Sequence, residues 1–195
     1  MDLGAGNGWL CYRVEQLGHR AVALDIRCDL VDGLGAAAPY AFHLPRMFAR
    51  VAASFDAIPT LSGVFDIAVF NASLHYAEDL SVVLTEAARV VRSKGWIAVL
   101  DSPVYSSERH GEAMVEEKRR EARVRLGLRA ADLMALASVE YLTRERLASA
   151  SRDAGLHWRR YRVRYPLWYE LRPVLAALAR KRPPSRFDLW VARRP

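Results

Sequence analysis

The residue types that could do chemistry begin at once, where Asp2 leads through Leu3, Gly4, Ala5, Gly6 and Asn7 to Gly8. Glycine tolerates φ > 0 and leaves bare backbone open to a ligand. Trp9 to Leu17 follows as a helix-like run, and Gly18 is placed to stop it. A strand, a tight glycine turn and a helix N-terminus favour an anionic ligand group, a carboxylate or a phosphate. The helix start presents free N–H groups and a partial positive charge. A dinucleotide fingerprint would need its third glycine at position 9. That position is Trp9, so an NAD-linked oxidoreductase is disfavoured.

A second candidate is Asp25, which closes the apolar run Ala21-Val22-Ala23-Leu24. An acid at this distance beyond the glycines, on a strand tip, can accept from both hydroxyls of a ribose. Ile26, next in line, can pack on a base. Further on, Asp56-Ala57-Ile58-Pro59 reads as a turn, and Asn71-Ala72-Ser73-Leu74-His75-Tyr76 follows the clearest strand, Phe65 to Phe70.

These residues need a frame of strands and helices to bring them together. Runs apolar on both faces suit parallel strands covered on each side. Such runs occur at 21–25, 50–55, 65–70 and 96–101, alternating with helical stretches, including 29–38 and Leu80 to Val91 with Ser93-Lys94-Gly95 as its stop. The alternation predicts a parallel sheet with helices on both faces. Ser106 or Ser107 is placed to cap a mostly polar helix to Leu126, and 130–139 reads as a second, more apolar one. The stretch 103–139 is thus a candidate lid. Thr143 to Ala154 reads as an amphipathic helix stopped by Gly155. Strands are expected at 158–164 and 186–192, with a proline-rich insertion at 165–185 containing a helix at 174–182. The apolar face of that helix is expected to dock on the domain.

The motifs resemble those of class I S-adenosylmethionine (SAM)-dependent methyltransferases, over residues 1–101 closely and 141–195 loosely. The resemblance rests on Asp2–Gly8, Asp25, Asp56-Ala57 and 65–76 standing in register. It implies a Rossmann-like, doubly wound α/β fold: a mostly parallel seven-stranded sheet with an antiparallel last strand, in one domain spanning 1–195. It implies SAM as cofactor, bound by Asp2, Gly4, Ala5, Gly6, Gly8, Asp25, Ile26, Asp56, Ala57 and Asn71. Asp56 and the Ala57 N–H would read the adenine edge, and Asn71 would meet the methionine part. Methyl transfer to a small-molecule acceptor follows, with His75 the first candidate base, then Tyr76, Asp101 and Tyr105. Departure from the Asn-Pro-Pro-Tyr form at 71–74 counts against nucleobase and amide acceptors. Family members carry helices before the first strand, and this chain starts inside that strand. The alternative reading is a non-catalytic or truncated SAM-binding module completed by a partner or a longer N-terminus.

Composition sets the remaining bounds. The chain has 195 residues, 52% apolar and 26% charged, as soluble globular proteins do. Neither a transmembrane stretch nor a signal peptide is expected from these residues. Cys11 and Cys28 make no disulfide framework and read as reduced, packing thiols. Abundant arginine and alanine suggest a bacterial source, and the expected setting is cytoplasmic. Residues 1–158 hold 18 Lys or Arg against 20 acids, whereas 159–195 hold 11 against 2. A nucleic-acid partner is disfavoured. An anionic membrane surface is open to the basic C-terminal segment but is not the preferred reading.

Overall fold

The computed structural model describes residues 1–127 and 138–195. Its main sheet has seven strands in the order β3-β2-β1-β4-β5-β9-β8. These are β1 (Asp2–Leu3), β2 (Val22–Asp25), β3 (Ala49–Ala52), β4 (Phe65–Asn71), β5 (Val91–Leu100), β8 (Trp158–Tyr161) and β9 (Leu189–Arg193). β1 pairs in parallel with both β2 and β4, and β4 with β5. β9 runs antiparallel to β5 and to β8. This is the doubly wound arrangement with an inserted antiparallel last strand. A separate two-stranded sheet joins β6 (Val104–Tyr105) to β7 (Leu142–Thr143). No pattern in the sequence announced it.

Alternation along the strands places two apolar layers on the sheet. Leu3 and Leu24 face the larger core with Phe70, Leu84, Ile97, Val99, Leu147 and Trp190. Ala23 belongs to the smaller cluster of Cys11, Leu34, Ala37 and Phe48 on the opposite side. Helix α1 (Trp9–Gln16) covers that side. Helix α2 (Leu80–Val90) covers the other, burying Val83, Leu84, Ala87 and Val90. Its start is fixed by the Asp79 carboxylate, which accepts the N–H groups of Ser81 and Val82. Such a cap contributes about 1 kcal/mol.

Several local expectations are corrected. Residues 93–95 do not stop α2, because β5 begins at Val91. The register shift between Phe65 and Ile67 absorbs the extra residues. Gly95 allows that approach: a Cβ there would lie 2.7 Å from the Asp66 carbonyl oxygen. β3 ends at Ala52, where the Ala53 N–H turns to the Asp25 carbonyl. The helix expected near 29–38 is a 3-10 helix, Leu34–Phe42, with Pro39 inside it. Helix α3 (Glu108–Leu126) follows Ser107, but no side chain caps it; Ser106 Oγ lies against His110 Nδ1 instead. Most of the helix expected at 130–139 lies outside the described residues.

Helix α4 (Arg144–Ala150) is capped by Thr143, whose oxygen accepts the Arg146 N–H. Residues 151–155 then leave the helix through a turn that ends on Gly155 at φ +63°. The insertion forms two short helices, α5 (Leu167–Glu170) and α6 (Arg172–Leu178). Their apolar face does not dock on the domain: Val174, Leu175 and Leu178 are exposed. Polar ties hold the segment instead, Glu170 accepting from Arg162 and Arg186 and Arg182 reaching Glu117. Cys11 is buried as expected, whereas Cys28 is exposed and does not pack. Among the described residues, no helix is long and apolar enough to cross a membrane.

Candidate functional site

The carboxyl ends of β1, β2, β3 and β4 form one rim, the location where open α/β sheets bind ligands. The turn after β1 is held by the Gly4 and Ala5 N–H groups, both donating to the Leu24 carbonyl at 2.8 and 3.0 Å. Gly4, Gly6 and Gly8 have φ of +77°, +52° and +73°, a region that side chains with Cβ rarely adopt. Gly4 is also a point of contact. A Cβ there would lie 2.5 Å from Ser73 Cβ and 3.5 Å from the Phe55 ring. The loops after β1, β3 and β4 therefore converge on Gly4.

Asp25 stands at the tip of β2, half-buried, with its carboxylate oriented by two backbone donors. Gly6 N–H reaches Oδ2 at 2.7 Å and Arg27 N–H reaches Oδ1 at 2.8 Å. Each oxygen keeps a lone pair for a further donor. Ile26 beside it is 72% exposed, an apolar side chain held at the rim. Asp56 and Ala57 lie exposed on the loop after β3, where the Ala57 N–H makes a long bond, 3.3 Å, to the Ser54 carbonyl. Asn71 ends β4, partly buried, and Ala72 turns the chain at φ +55°.

Asp2 lies beneath this rim on the α1 side. It is buried, Oδ2 meets Cys11 Sγ at 3.9 Å, and Oδ1 has no partner among the described residues. Burial raises its pKa to about 7, against the opposing pull of the Met1 amino group. Burial likewise raises the Cys11 thiol far above its ordinary value.

His75 and Tyr76 sit on a 3-10 turn (Leu74–Tyr76) just past β4, ring centroids 4.2 Å apart. His75 Nδ1 lies 3.4 Å from the buried Ser102 Oγ. Burial, then the charge of Lys118, lower the His75 pKa to about 4, so the imidazole is neutral at physiological pH. Tyr76 is 64% exposed. Asp101 is exposed at φ +47°. Tyr105 is buried against Tyr141, and its hydroxyl accepts from Arg182 at 3.2 Å. It packs and is not placed to take a proton.

A cleft of about 750 Å³ opens beyond this turn, lined by Asp79, Glu112, Glu116, Arg119, Glu140 and Arg146 among others. It does not include the glycine turn. No cluster of three or more His, Cys, Asp or Glu suited to a metal ion occurs among the described residues.

Sequence reasoning missed Ser73 and Ser102. Ser73 Oγ donates to the Leu3 carbonyl, tying the loop after β4 to β1. A small polar residue directly after a strand tip was the available signal.

This strand order, with a glycine turn at the carboxyl end of its central strand, is that of a class I methyltransferase fold. A family profile described as "Methyltransferase domain" matches residues 1–99, more than half of the chain, and the chain belongs to that family. Among curated proteins, it is 30% identical over 94 residues to the biotin biosynthesis bifunctional protein BioHC of Saccharophagus degradans, covering 48% of this chain and 16% of that protein. It is 27% identical over 115 residues to the malonyl-[acyl-carrier protein] O-methyltransferase of Buchnera aphidicola, covering 57% and 40%. The match thus spans less than half the length of these relatives. A solved structure with the same fold is the 1,6-didemethyltoxoflavin-N1-methyltransferase of Burkholderia thailandensis with bound S-adenosylhomocysteine. Its TM-score is 0.60 at 20% identity, over 99% of this chain and 69% of that one.

Proposed function

We propose that this protein is a SAM-dependent methyltransferase acting on a small-molecule acceptor in a bacterial cytoplasm. The observation that carries the reading is the Asp25 carboxylate, pinned by the Gly6 N–H beside exposed Ile26 where three loops meet at Gly4. The residues fit the cofactor: an oriented acid with free lone pairs for ribose, an apolar surface for the base, and glycines where a Cβ would close the turn. Asp2 Oδ1, which has no partner among the described residues, lies under that turn.

Bound SAM supplies an activated sulfonium methyl group for in-line transfer to a nucleophile. Asp25 accepts from the ribose hydroxyls, and Ile26 packs on the base. Asp56 and the Ala57 N–H would hold the edge of the base, and Asn71 the methionine part. Gly4, Ala5, Gly6 and Gly8 let the turn approach the ligand closely, with Asp2 supporting them from below. Positioning of the two reactants is the main contribution of such residues. Where the nucleophile is a hydroxyl, neutral His75 takes its proton, with Tyr76 exposed beside it.

The test is transfer of labelled methyl from SAM into a pool of small metabolites and acyl-carrier-bound acids, the second class suggested by the relatives' names. Label in acceptors with the native chain, and clearly less with Asp25→Ala at limiting SAM, supports the reading. A folded chain that binds SAM and labels nothing from either pool contradicts the assignment of an acceptor in these classes.

A further inference from the structure

We propose that the insertion between β8 and β9 is an in-plane anchor that seats the protein on a bilayer surface bearing anionic phospholipids. Leu167, Trp168, Leu171, Val174, Leu175 and Leu178 recur at helical spacing, so they form one stripe along α5 and α6. Leu171 joins the two helices: its N–H donates to the Leu167 carbonyl and its own carbonyl accepts from the Leu175 N–H. The stripe is ~17 Å long at 1.5 Å per residue. It faces outward, with exposures from 44% at Leu171 to 78% at Leu178. A contiguous exposed apolar patch of this kind marks an interaction surface.

The charge around the stripe selects the occupant. Residues 159–195 hold eleven Lys or Arg against Glu170 and Asp188. Both acids are already engaged, Glu170 by Arg162 and Arg186 and Asp188 by Arg160 and Arg186. Arg164, Arg172, Arg180 and Lys181 make no salt bridge among the described residues; in sequence Arg164 precedes the stripe, Arg172 lies within its span over the Tyr169 ring, and Arg180 and Lys181 follow it. An outward apolar ridge with a tryptophan and flanking basic residues suits a deformable interface: the ridge enters the acyl boundary while the cations meet phosphates. A folded acidic protein would need a groove complementary to the ridge.

The position gives the anchor a use. β8 ends at Tyr161 opposite Leu189, where β9 begins, and β8 runs in the same direction as β5. The insertion therefore leaves the sheet at the carboxyl-end rim, the edge that carries Gly4, Asp25 and Asn71. Seating it on a bilayer would turn that rim toward the surface. Binding to the bilayer does not depend on methyl transfer.

The test is co-sedimentation with vesicles of equal phosphatidylcholine and phosphatidylglycerol, against phosphatidylcholine alone, followed with tryptophan emission. The expected result is partition onto the anionic vesicles only, weakened by salt, with a blue shift that Trp168→Phe removes. Trp168→Ala with Leu175→Ser, and separately Arg180→Glu with Lys181→Glu, should each lower the partition about tenfold or more while leaving the thermal melt unchanged. All these side chains are exposed or lie at the end of the insertion, so the variants keep the core. Failure of the native chain to sediment with anionic vesicles overturns the proposal, as does binding indifferent to the apolar pair. A lipid-free dimer dissolved by Leu175→Ser would assign the ridge to a second copy. Capture of an acidic soluble protein through the same side chains, without vesicle association, would assign it to a protein partner. Either result also overturns the proposal.

Discussion

Asp2 and His75 are displaced in opposite senses by the same cause, burial of a charge. Asp2 has its pKa raised to about 7, above an ordinary 3.8. The native state therefore holds a proton that the unfolded chain gives up. The resulting stability is full below about pH 4 and is lost as pH rises through about 7. Asp2→Asn should stabilise the chain by ~1–3 kcal/mol at pH 8 and by nothing measurable at pH 4, read from urea unfolding. Equal effects at both pH values would contradict a neutral buried acid.

His75 is lowered to about 4 from 6.5, so the unfolded chain takes the proton first and stability falls as pH drops through that window. His75→Gln should remove that loss. It should also slow methyl transfer while leaving cofactor affinity unchanged, and the native acid limb should lie near pH 4 rather than 6.5. Of the site residues, Asp25 was legible because its distance from the glycines is fixed by one helix and one strand. The Asp2 titration was not, since it depends on how deeply the folded chain buries the carboxyl. Neither was Ser73, whose contact with Leu3 crosses seventy residues of sequence.

At the scale of elements, α3 shows how much a local pattern can tell. Its length was readable from acids at its start and arginines at its end. Its seat was not, because the partners come from far along the chain. Glu108 accepts from the Tyr141 hydroxyl and from Thr143 Oγ1, and pairs with Arg146. Those bonds hold the carboxyl below its usual range despite partial burial, and the phenol of Tyr141 is raised to about 12 by burial and by Glu108. Gly111 lies against the Tyr141 ring, where a Cβ would approach to 2.1 Å. Gly111→Ala should therefore cost ~1–3 kcal/mol in thermal unfolding, the usual range for overpacking, although alanine is the better helix former. A stabilised mutant would show that α3 is not seated on Tyr141. The same limit explains β5: whether 93–95 stops a helix or bulges a strand is decided by the Asp66 backbone opposite Gly95. The apolar spacing of the insertion was equally readable, while the side it faces was set by the Glu170–Arg186 tie.

The whole molecule follows from strand order. Placing β1 at the centre, with β2 and β4 on its two sides, makes the chain diverge there and opens a crevice at the carboxyl ends. Alternation of apolar strands and helices was enough to anticipate a parallel sheet, whereas the count of seven strands and the antiparallel last one came from the resemblance to class I methyltransferases. The two-stranded β6-β7 unit is too short to leave a pattern. We propose that this crevice holds a sulfur nucleoside through Gly4, Gly6, Gly8 and Asp25. The direct measurement is calorimetric titration of the native chain with S-adenosylhomocysteine and with NADH, repeated on Asp25→Ala. Saturable binding of S-adenosylhomocysteine, no binding of NADH, and a loss of ~1–3 kcal/mol in the folded variant are the predicted results. NADH binding with no response to S-adenosylhomocysteine, or equal affinity in native and Asp25→Ala chains, would contradict the account.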